Sequence, residues 1–244
     1  MKKTLSLALV SLGILTASAQ AHEGAAMQAG FGGQMAAAGD LHVEFIVRDG
    51  FLRAWVRDHD DKPVAATGKA TLLVGGRKLD AVFAPAAKAE EGLTAPVPVE
   101  SGARLTAVLS LTAAGKPFTV RFAQDAVARP ALSPQAQAGA QLFGEICATC
   151  HGTVLRGTEQ GPPLLHPLYG PASGHGDDTI VAAATGGAKS HMWKFGDMPK
   201  PEGVKPGQEK DLVAFIRAMQ AANGLAGAAP TATPAAANPH AGHH

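Results

Sequence analysis

The sequence is short of aromatic residues, of cysteine and of net charge. Only 5% of its 244 residues are aromatic, two are cysteine, and the formal net charge is +1. A net charge this close to zero gives no electrostatic reason to expect nucleic acid or an anionic membrane surface as a partner. Two cysteines are too few for a disulfide-rich scaffold. Because aromatics are sparse, we expect cores of small aliphatic side chains, which bury less apolar area per residue.

Long apolar runs are also missing, except near the amino terminus. There a basic pair precedes an apolar run over residues 5–15, and Ala19-Gln20-Ala21 has the small-residue pattern of a cleavage site. This pattern predicts a secretory signal peptide over residues 1–21, and therefore a periplasmic protein. The run is shorter than the roughly 20 apolar residues that a membrane-spanning helix needs, so we expect no membrane insertion.

The two cysteines lie together in the segment Cys-Ala-Thr-Cys-His, residues 147–151. C-x-x-C-H is the attachment signature of c-type haem. Two thiols about one helical turn apart can each form a thioether to a haem vinyl group, and the adjacent histidine then reaches the iron. A thioredoxin-like redox pair is the alternative, but it leaves His151 unexplained and lacks a βαβ pattern. We therefore expect one covalent haem c, held by Cys147 and Cys150, with His151 as an axial ligand.

The second axial ligand is expected in residues 189–201, KSHMWKFGDMPKP. Met198 is the leading candidate because a thioether suits haem iron. In addition, Pro199 restricts the backbone of Met198 to extended conformations, so its side chain projects from a constrained loop. Met192 and His191 remain alternatives, and His191 would give a bis-histidine site of lower potential.

Residues 133–225 resemble a class I c-type cytochrome. Apart from the haem motif, the predicted helix that leads into it carries Gly139 and Phe143 where the family has a glycine and an aromatic residue. The last predicted helix carries Leu212 and Phe215, three residues apart, where the family has a leucine and an aromatic residue. The resemblance implies an all-α cytochrome c fold whose two helices cross at the glycine, where a missing side chain lets the backbones approach.

The resemblance also assigns roles in the loops. Pro162 matches the proline whose carbonyl accepts a hydrogen bond from the proximal histidine, a contact that orients the imidazole. Met198 matches the methionine of the family's Met-Pro loop. Tyr169 is a weaker candidate, for a hydrogen bond to a haem propionate. His166 and His175 are interpreted as ordinary loop histidines rather than metal ligands.

Alternating apolar residues between turn signals predict an all-β domain over residues 40–123. Asp49-Gly50, Gly75-Gly76 and Ala114-Gly115 mark three hairpin turns. Six or seven short strands predict an antiparallel β-sandwich, for which an immunoglobulin-like topology is a guess at the level of the fold.

Single residues of this domain show no catalytic pattern. We interpret His59, which lies among three aspartates, as part of a solvated polar turn rather than a metal site. His42 and Glu44 alternate on one strand and are expected to lie on an exposed face, while Trp55 is expected in the core.

Low-complexity segments flank and separate the two domains. Residues 22–39 are predicted to be a flexible segment, residues 124–132 a linker, and residues 226–244 a disordered tail rich in alanine, proline and histidine. Imidazole and thioether groups in these segments suit copper or a borderline metal. We therefore consider weak metal binding by the terminal segments, through His22, Met27, Met35, His240, His243 and His244.

These features favour an electron carrier over an enzyme: a soluble periplasmic monohaem c-type cytochrome that transfers single electrons between redox partner proteins. Catalysis at iron needs a vacant or displaceable position, which a methionine ligand opposes. Two alternatives stay open. One is a protein that binds or senses a metal such as copper and contains a haem redox module. The other is the electron-entry subunit of a dehydrogenase or reductase.

Overall fold

The computed structural model describes residues 28–48, 50–84 and 86–225. Outside these described residues lie the predicted signal peptide, the tail that the sequence predicts to be disordered, and the proposed metal-binding residues His22, Met27, His240, His243 and His244. Within them, an all-β part is followed by an all-α part. No helix in the described ranges is both long and apolar enough to span a membrane.

The described residues form eight strands in two four-stranded antiparallel sheets. The first sheet has the order β1-β2-β3-β6 and contains β1 (Gln34–Ala38), β2 (Leu41–Arg48), β3 (Phe51–Arg57) and β6 (Leu93–Pro96). The second has the order β5-β4-β7-β8 and contains β4 (Ala66–Val74), β5 (Arg77–Val82), β7 (Leu105–Ala113) and β8 (Lys116–Gln124). The three predicted hairpin turns join β2 to β3, β4 to β5 and β7 to β8.

One apolar cluster joins the two sheets. Side chains of one strand alternate between its two faces, and β7 accordingly alternates buried and more accessible residues along its length. Phe45 and Leu52 of the first sheet meet Leu72, Leu109 and Phe122 of the second, and the ring centroids of Phe45 and Phe122 are 4.8 Å apart. The predicted all-β antiparallel architecture is therefore present.

The immunoglobulin-like topology is not confirmed. In the immunoglobulin fold the third strand leaves the sheet that holds the first two. Here the first three strands are neighbours in one sheet, and a later strand, β6, completes it. Turn signals reveal hairpins, but they do not reveal which sheet a later strand joins.

Strand β1 lies inside the segment that was expected to be flexible. Gln34–Ala38 pairs with β2 over five residues, from Gln34 opposite Phe45 to Ala38 opposite Leu41. A strand at a sheet edge is held by backbone hydrogen bonds, so small side chains suffice there. The local composition therefore did not reveal that this segment forms a strand. The β-part begins before residue 40.

Four helices follow the β-part in the described chain: α1 (Pro134–Leu142), α2 (Ala148–His151), α3 (Asp177–Gly186) and α4 (Glu209–Ala222). Ser133 caps α1, since its hydroxyl accepts a hydrogen bond from the amide of Ala136 at 3.2 Å, and Pro134 occupies the first turn. A short π-helical turn, Phe143–Cys147, connects α1 to α2. The chain thus enters residues 147–151 from one continuous helical stretch.

Helices α1 and α4 cross in close contact at Gly139. A β-carbon at this position would overlap the backbone of Asp211 in α4. One turn further along the chain, Phe143 of the π-helical turn packs on Phe215, with ring centroids 5.3 Å apart. The predicted helix crossing is therefore present, and glycine is the residue that permits it.

We predict that Gly139→Ala destabilises the helical part by about 1–3 kcal/mol, because the added methyl group forces the two helices apart. The matched control is Gly144→Ala, whose added β-carbon would meet no atom within 4 Å. In a helix, alanine in place of glycine otherwise stabilises by up to about 1 kcal/mol. Denaturant unfolding of both variants measures the difference, and equal free energies of unfolding would contradict the close crossing.

Candidate functional site

An apolar cleft lies in the helical part, between the segment 143–151, α3, α4 and the loop 188–198. It encloses about 1060 Å³ of empty space, its open mouth included. Among the site residues predicted from the sequence, it is lined by Cys147, His151, Pro162, Met192 and Met198.

His151 is the last residue of α2 and is 7% exposed. Its Nδ1 lies 2.9 Å from the carbonyl oxygen of Pro162. Because that oxygen can only accept, the proton sits on Nδ1 and the lone pair is on Nε2. Burial lowers the pKa of His151, and the weaker effect of the hydrogen bond to Pro162 raises it. The imidazole is thus held neutral, in the tautomer that presents Nε2 to a metal.

The two cysteines are free thiols one turn apart, and they have different surroundings. Cys147 lines the cleft, and burial together with the neighbouring Cys150 raises its pKa to about 11. The Cys150 thiol faces the side-chain oxygen of Gln160 at 3.7 Å. Cys147 therefore faces the cleft, whereas Cys150 is not among its lining residues. Two unpaired thiols one turn apart have the chemistry that covalent attachment of haem requires.

Met198 reaches the cleft from a loop whose ends are tied together. The amide of Ala188 donates to the carbonyl of Met198 at 3.0 Å, and the amide of Met198 donates to the carbonyl of Ala188 at 2.8 Å. Within the loop, Lys189 and Asp197 form an exposed ion pair at 2.6 Å. These two hydrogen bonds therefore hold the backbone of Met198 on both sides of its side chain.

The two other candidates for the second ligand line the same cleft. His191 uses both ring nitrogens: Nδ1 lies 3.0 Å from the carbonyl oxygen of Lys189, and Nε2 lies 3.4 Å from Nε2 of His175. To bind a metal, His191 would have to give up one of these contacts. This geometry favours a thioether, and Met192 stays open beside Met198.

Trp193 and Tyr169 cover part of the cleft. The indole N–H of Trp193 donates to the Tyr169 hydroxyl at 2.7 Å. Burial raises the pKa of Tyr169, and the hydrogen bond from Trp193 opposes the rise. The hydroxyl keeps its own proton for donation, as a hydrogen bond to a propionate would require.

His166 packs edge-on against Trp193, with ring centroids 5.0 Å apart. Burial lowers its pKa to about 4, so this ring is neutral at physiological pH. Its Nδ1 accepts a hydrogen bond from the amide of Leu168 at 3.3 Å. A backbone contact of this kind agrees with its interpretation as a loop histidine.

Sequence reasoning missed the polar residues that fasten the cleft's loop to α4. Gln220 is 1% exposed, and its Nε2 donates to the carbonyls of Leu164 at 2.9 Å and Tyr169 at 3.0 Å. Arg217 donates to the Gln220 side-chain oxygen at 2.6 Å and to Asp177, at the start of α3, at 2.6 Å. Both residues lie beside the apolar stripe of α4. Their spacing of three residues, next to that stripe, was the feature of the sequence that could have indicated their role.

The sequence analysis also singled out residues of the β-part. No group of three or more histidine, cysteine, aspartate or glutamate side chains in the described ranges is arranged to hold a metal. His59 is exposed, and its Nε2 lies 3.4 Å from a carboxylate oxygen of Asp60. The exposed face predicted for Glu44 is wrong, since Glu44 is 1% exposed. Met35 lies in β1, and Trp55 is buried as expected.

Two crossing helices, with two thiols and a histidine in the helical turns that follow the first, are the arrangement typical of c-type haem domains. Residues 136–220 match the family model described as cytochrome c. The C-terminal half of the chain therefore contains a cytochrome c domain, a family that carries covalent haem c and transfers electrons. The match begins after all eight strands, so the β-domain is unidentified. Searches among curated proteins and among solved structures found no match.

We predict that Gln220→Leu destabilises the domain by about 1–3 kcal/mol, because the carbonyl of Leu164 loses its buried donor. Gln141→Leu, at an exposed position of α1, is the matched control and should change the free energy of unfolding little. Thermal unfolding followed by circular dichroism compares the two variants. Equal melting temperatures would show that the Gln220 contacts do not fasten the loop.

Proposed function

We propose that this chain is an exported, soluble monohaem c-type cytochrome that carries single electrons between redox partner proteins. The observation that carries the proposal is the state of His151: it is buried, neutral and oriented by Pro162, and it lines a cleft that Met198 also lines. An imidazole that only completes a core does not require a fixed tautomer and a place in the lining of a cleft.

Four side chains would hold the haem. Cys147 and Cys150 would anchor it covalently, and His151 and Met198 would ligate the iron. Pro162 keeps the imidazole in one orientation through its carbonyl. A haem held in this way supplies a one-electron couple between two oxidation states of iron.

The surrounding residues favour electron transfer over catalysis. The tied ends of the loop 188–198 limit how far Met198 can withdraw, so Met198 would compete with a small molecule for the iron. Apolar side chains from the π-helical turn, α3 and α4, such as Phe143, Ile180 and Ile216, line the cleft. A thioether ligand in such a cleft would favour electron transfer over chemistry at the iron.

Export and partners complete the proposal. The expected signal peptide would direct the chain to the periplasm, with cleavage after Ala21. There it would meet donor and acceptor proteins through transient contacts. The histidines of the terminal segments would add weak metal binding.

We predict that Met198→Ala removes the near-red absorption band of the oxidised protein. This band is a sulfur-to-iron charge-transfer transition, so it is present only while a methionine binds the iron. Met192→Ala is the matched control, a methionine in the same loop and cleft, and should leave the band in place. If the band survives in Met198→Ala and disappears in Met192→Ala, then Met192 is the iron ligand and Met198 is not.

We also predict the mass of the mature protein. Produced in a host that matures c-type cytochromes, the chain should begin at His22 and carry the mass of one haem that denaturation does not remove. Intact-mass spectrometry after acid denaturation measures both features. In the double variant Cys147→Ala/Cys150→Ala the haem mass should be lost, and its retention would contradict covalent attachment at these residues.

A further inference from the structure

The first β-sheet is covered on both faces. In β2, Val43, Phe45 and Val47 point into the core between the two sheets. Glu44 and Arg48 alternate with them and therefore point to the opposite face, where they are 1% and 5% exposed. Residues 30–33 and two loops of the cytochrome domain cover this second face.

Glu44 holds residues 30–33 in place through its buried carboxylate. One oxygen accepts hydrogen bonds from the amides of Phe31 at 2.8 Å and Gly33 at 2.9 Å. The other accepts from the amide of Gly30 at 2.8 Å and from Arg57 at 3.2 Å. A buried carboxylate without partners would be strongly destabilising, so these four donors offset the burial of Glu44, and the three backbone donors among them hold the segment in one conformation.

The same segment holds the loop that carries Met198. The carbonyl of Gly30 accepts a hydrogen bond from the amide of Lys194 at 2.8 Å. The Phe31 ring stacks on Trp55 of β3 at 4.2 Å and meets Phe195 edge-on at 5.7 Å. Lys194 and Phe195 lie in the closed loop between Ala188 and Met198, so the β-domain contacts this loop directly.

Arg48 connects the segment to the second loop of the site. Its guanidinium donates to the carbonyl of Phe31 at 2.6 Å and to the carbonyl of Thr158 at 2.5 Å, and it lies over the Phe195 ring at 5.5 Å. Thr158 opens the turn that leads into Pro162, the partner of His151. One side chain of the β-domain therefore touches both loops that would supply the axial ligands or orient them.

We propose that Glu44 is a positioning residue through which the β-domain holds Met198 on the haem iron. By fixing residues 30–33, Glu44 sets the contact surface for Lys194, Phe195 and Arg48, and so sets how often the Met198 loop opens. The inference rests on the proposed function, since it concerns an axial ligand assigned there. It gives the unidentified β-domain a role at the haem site.

The test measures loop opening with exogenous imidazole, which can replace Met198 only when the loop opens. Glu44→Gln keeps the size of the side chain and loses its charge, and Phe31→Ala removes the ring that contacts Phe195. We expect each variant to bind imidazole at least about tenfold faster in the oxidised state, as local opening becomes easier. Amide hydrogen exchange of residues 189–198 should accelerate in both variants, and this readout does not depend on the haem.

Three control variants separate positioning from general loosening. Glu100→Gln and Phe51→Ala make the same changes at exposed positions of the β-domain, and Phe51 is 53% exposed. Leu109→Ala opens a cavity in the second sheet, away from the two loops. The exposed controls should match the wild type, and Leu109→Ala should lower stability without a comparable gain in imidazole binding.

The outcomes are distinguishable. Unchanged imidazole binding and exchange in Phe31→Ala, or an equal gain in Leu109→Ala, would overturn the inference while the haem assignment stands. If Glu44→Gln does not fold, imidazole binding and hydrogen exchange in Phe31→Ala test the inference alone. A wild type that lacks haem would contradict the proposed function instead, and hydrogen exchange would still test the hold of the β-domain on residues 189–198.

Discussion

The geometry of the site depends on one hydrogen bond, from Nδ1 of His151 to the carbonyl of Pro162. It selects the tautomer of the imidazole and fixes the ring against rotation, so the lone pair of Nε2 has a single direction. The bond requires the loop before Pro162 to lie against α2. Two contacts keep it there: the Thr158 hydroxyl donates to the carbonyl of Cys150 at 2.8 Å, and the amide of Gly157 donates to the carbonyl of His151 at 2.8 Å. The histidine and its acceptor are therefore held by the same short piece of chain.

A domain with few aromatic residues and short helices needs other means to order its long loops. Here polar side chains of α4 do part of this work. Arg217, Gln220 and Asn223 follow one another at three-residue spacing, next to the apolar stripe that packs on α1. Arg217 and Gln220 bind the loop before α3, while Asn223 exchanges two hydrogen bonds of 2.9 Å with the backbone of Ala128, in the connection between the domains. Loss of these bonds would leave backbone carbonyls without these donors, so the network specifies one loop conformation more sharply than apolar contacts alone would.

The features that the sequence predicted correctly are those encoded by near neighbours. Ser133 followed by proline predicted the start of α1, the cysteine spacing predicted thiols one turn apart, and paired turn residues predicted hairpins. The features that it did not predict depend on distant parts of the chain. Glu44 appeared to be exposed because its partners, the amides of residues 30–33, lie 11 to 14 positions away in a glycine-rich stretch without apolar pattern. Strand β6 pairs with β3, although β4 and β5 lie between them in the sequence and belong to the second sheet. The spacing of residues in the sequence does not predict such a pairing.

The buried carboxylate also explains why the contact between the domains has a defined geometry. A charge removed from water is tolerated only where its hydrogen-bond donors are in place together, since each missing donor leaves part of the desolvation cost uncompensated. Three of the four donors to Glu44 are backbone amides of one short segment, so the segment binds in a single conformation or not at all. Gly32 and Gly33 permit that conformation, because a β-carbon at either position would overlap neighbouring atoms. The composition of residues 30–33 shows no apolar pattern, yet their contacts with Glu44 restrict this segment to one conformation on the surface that faces the cytochrome loops.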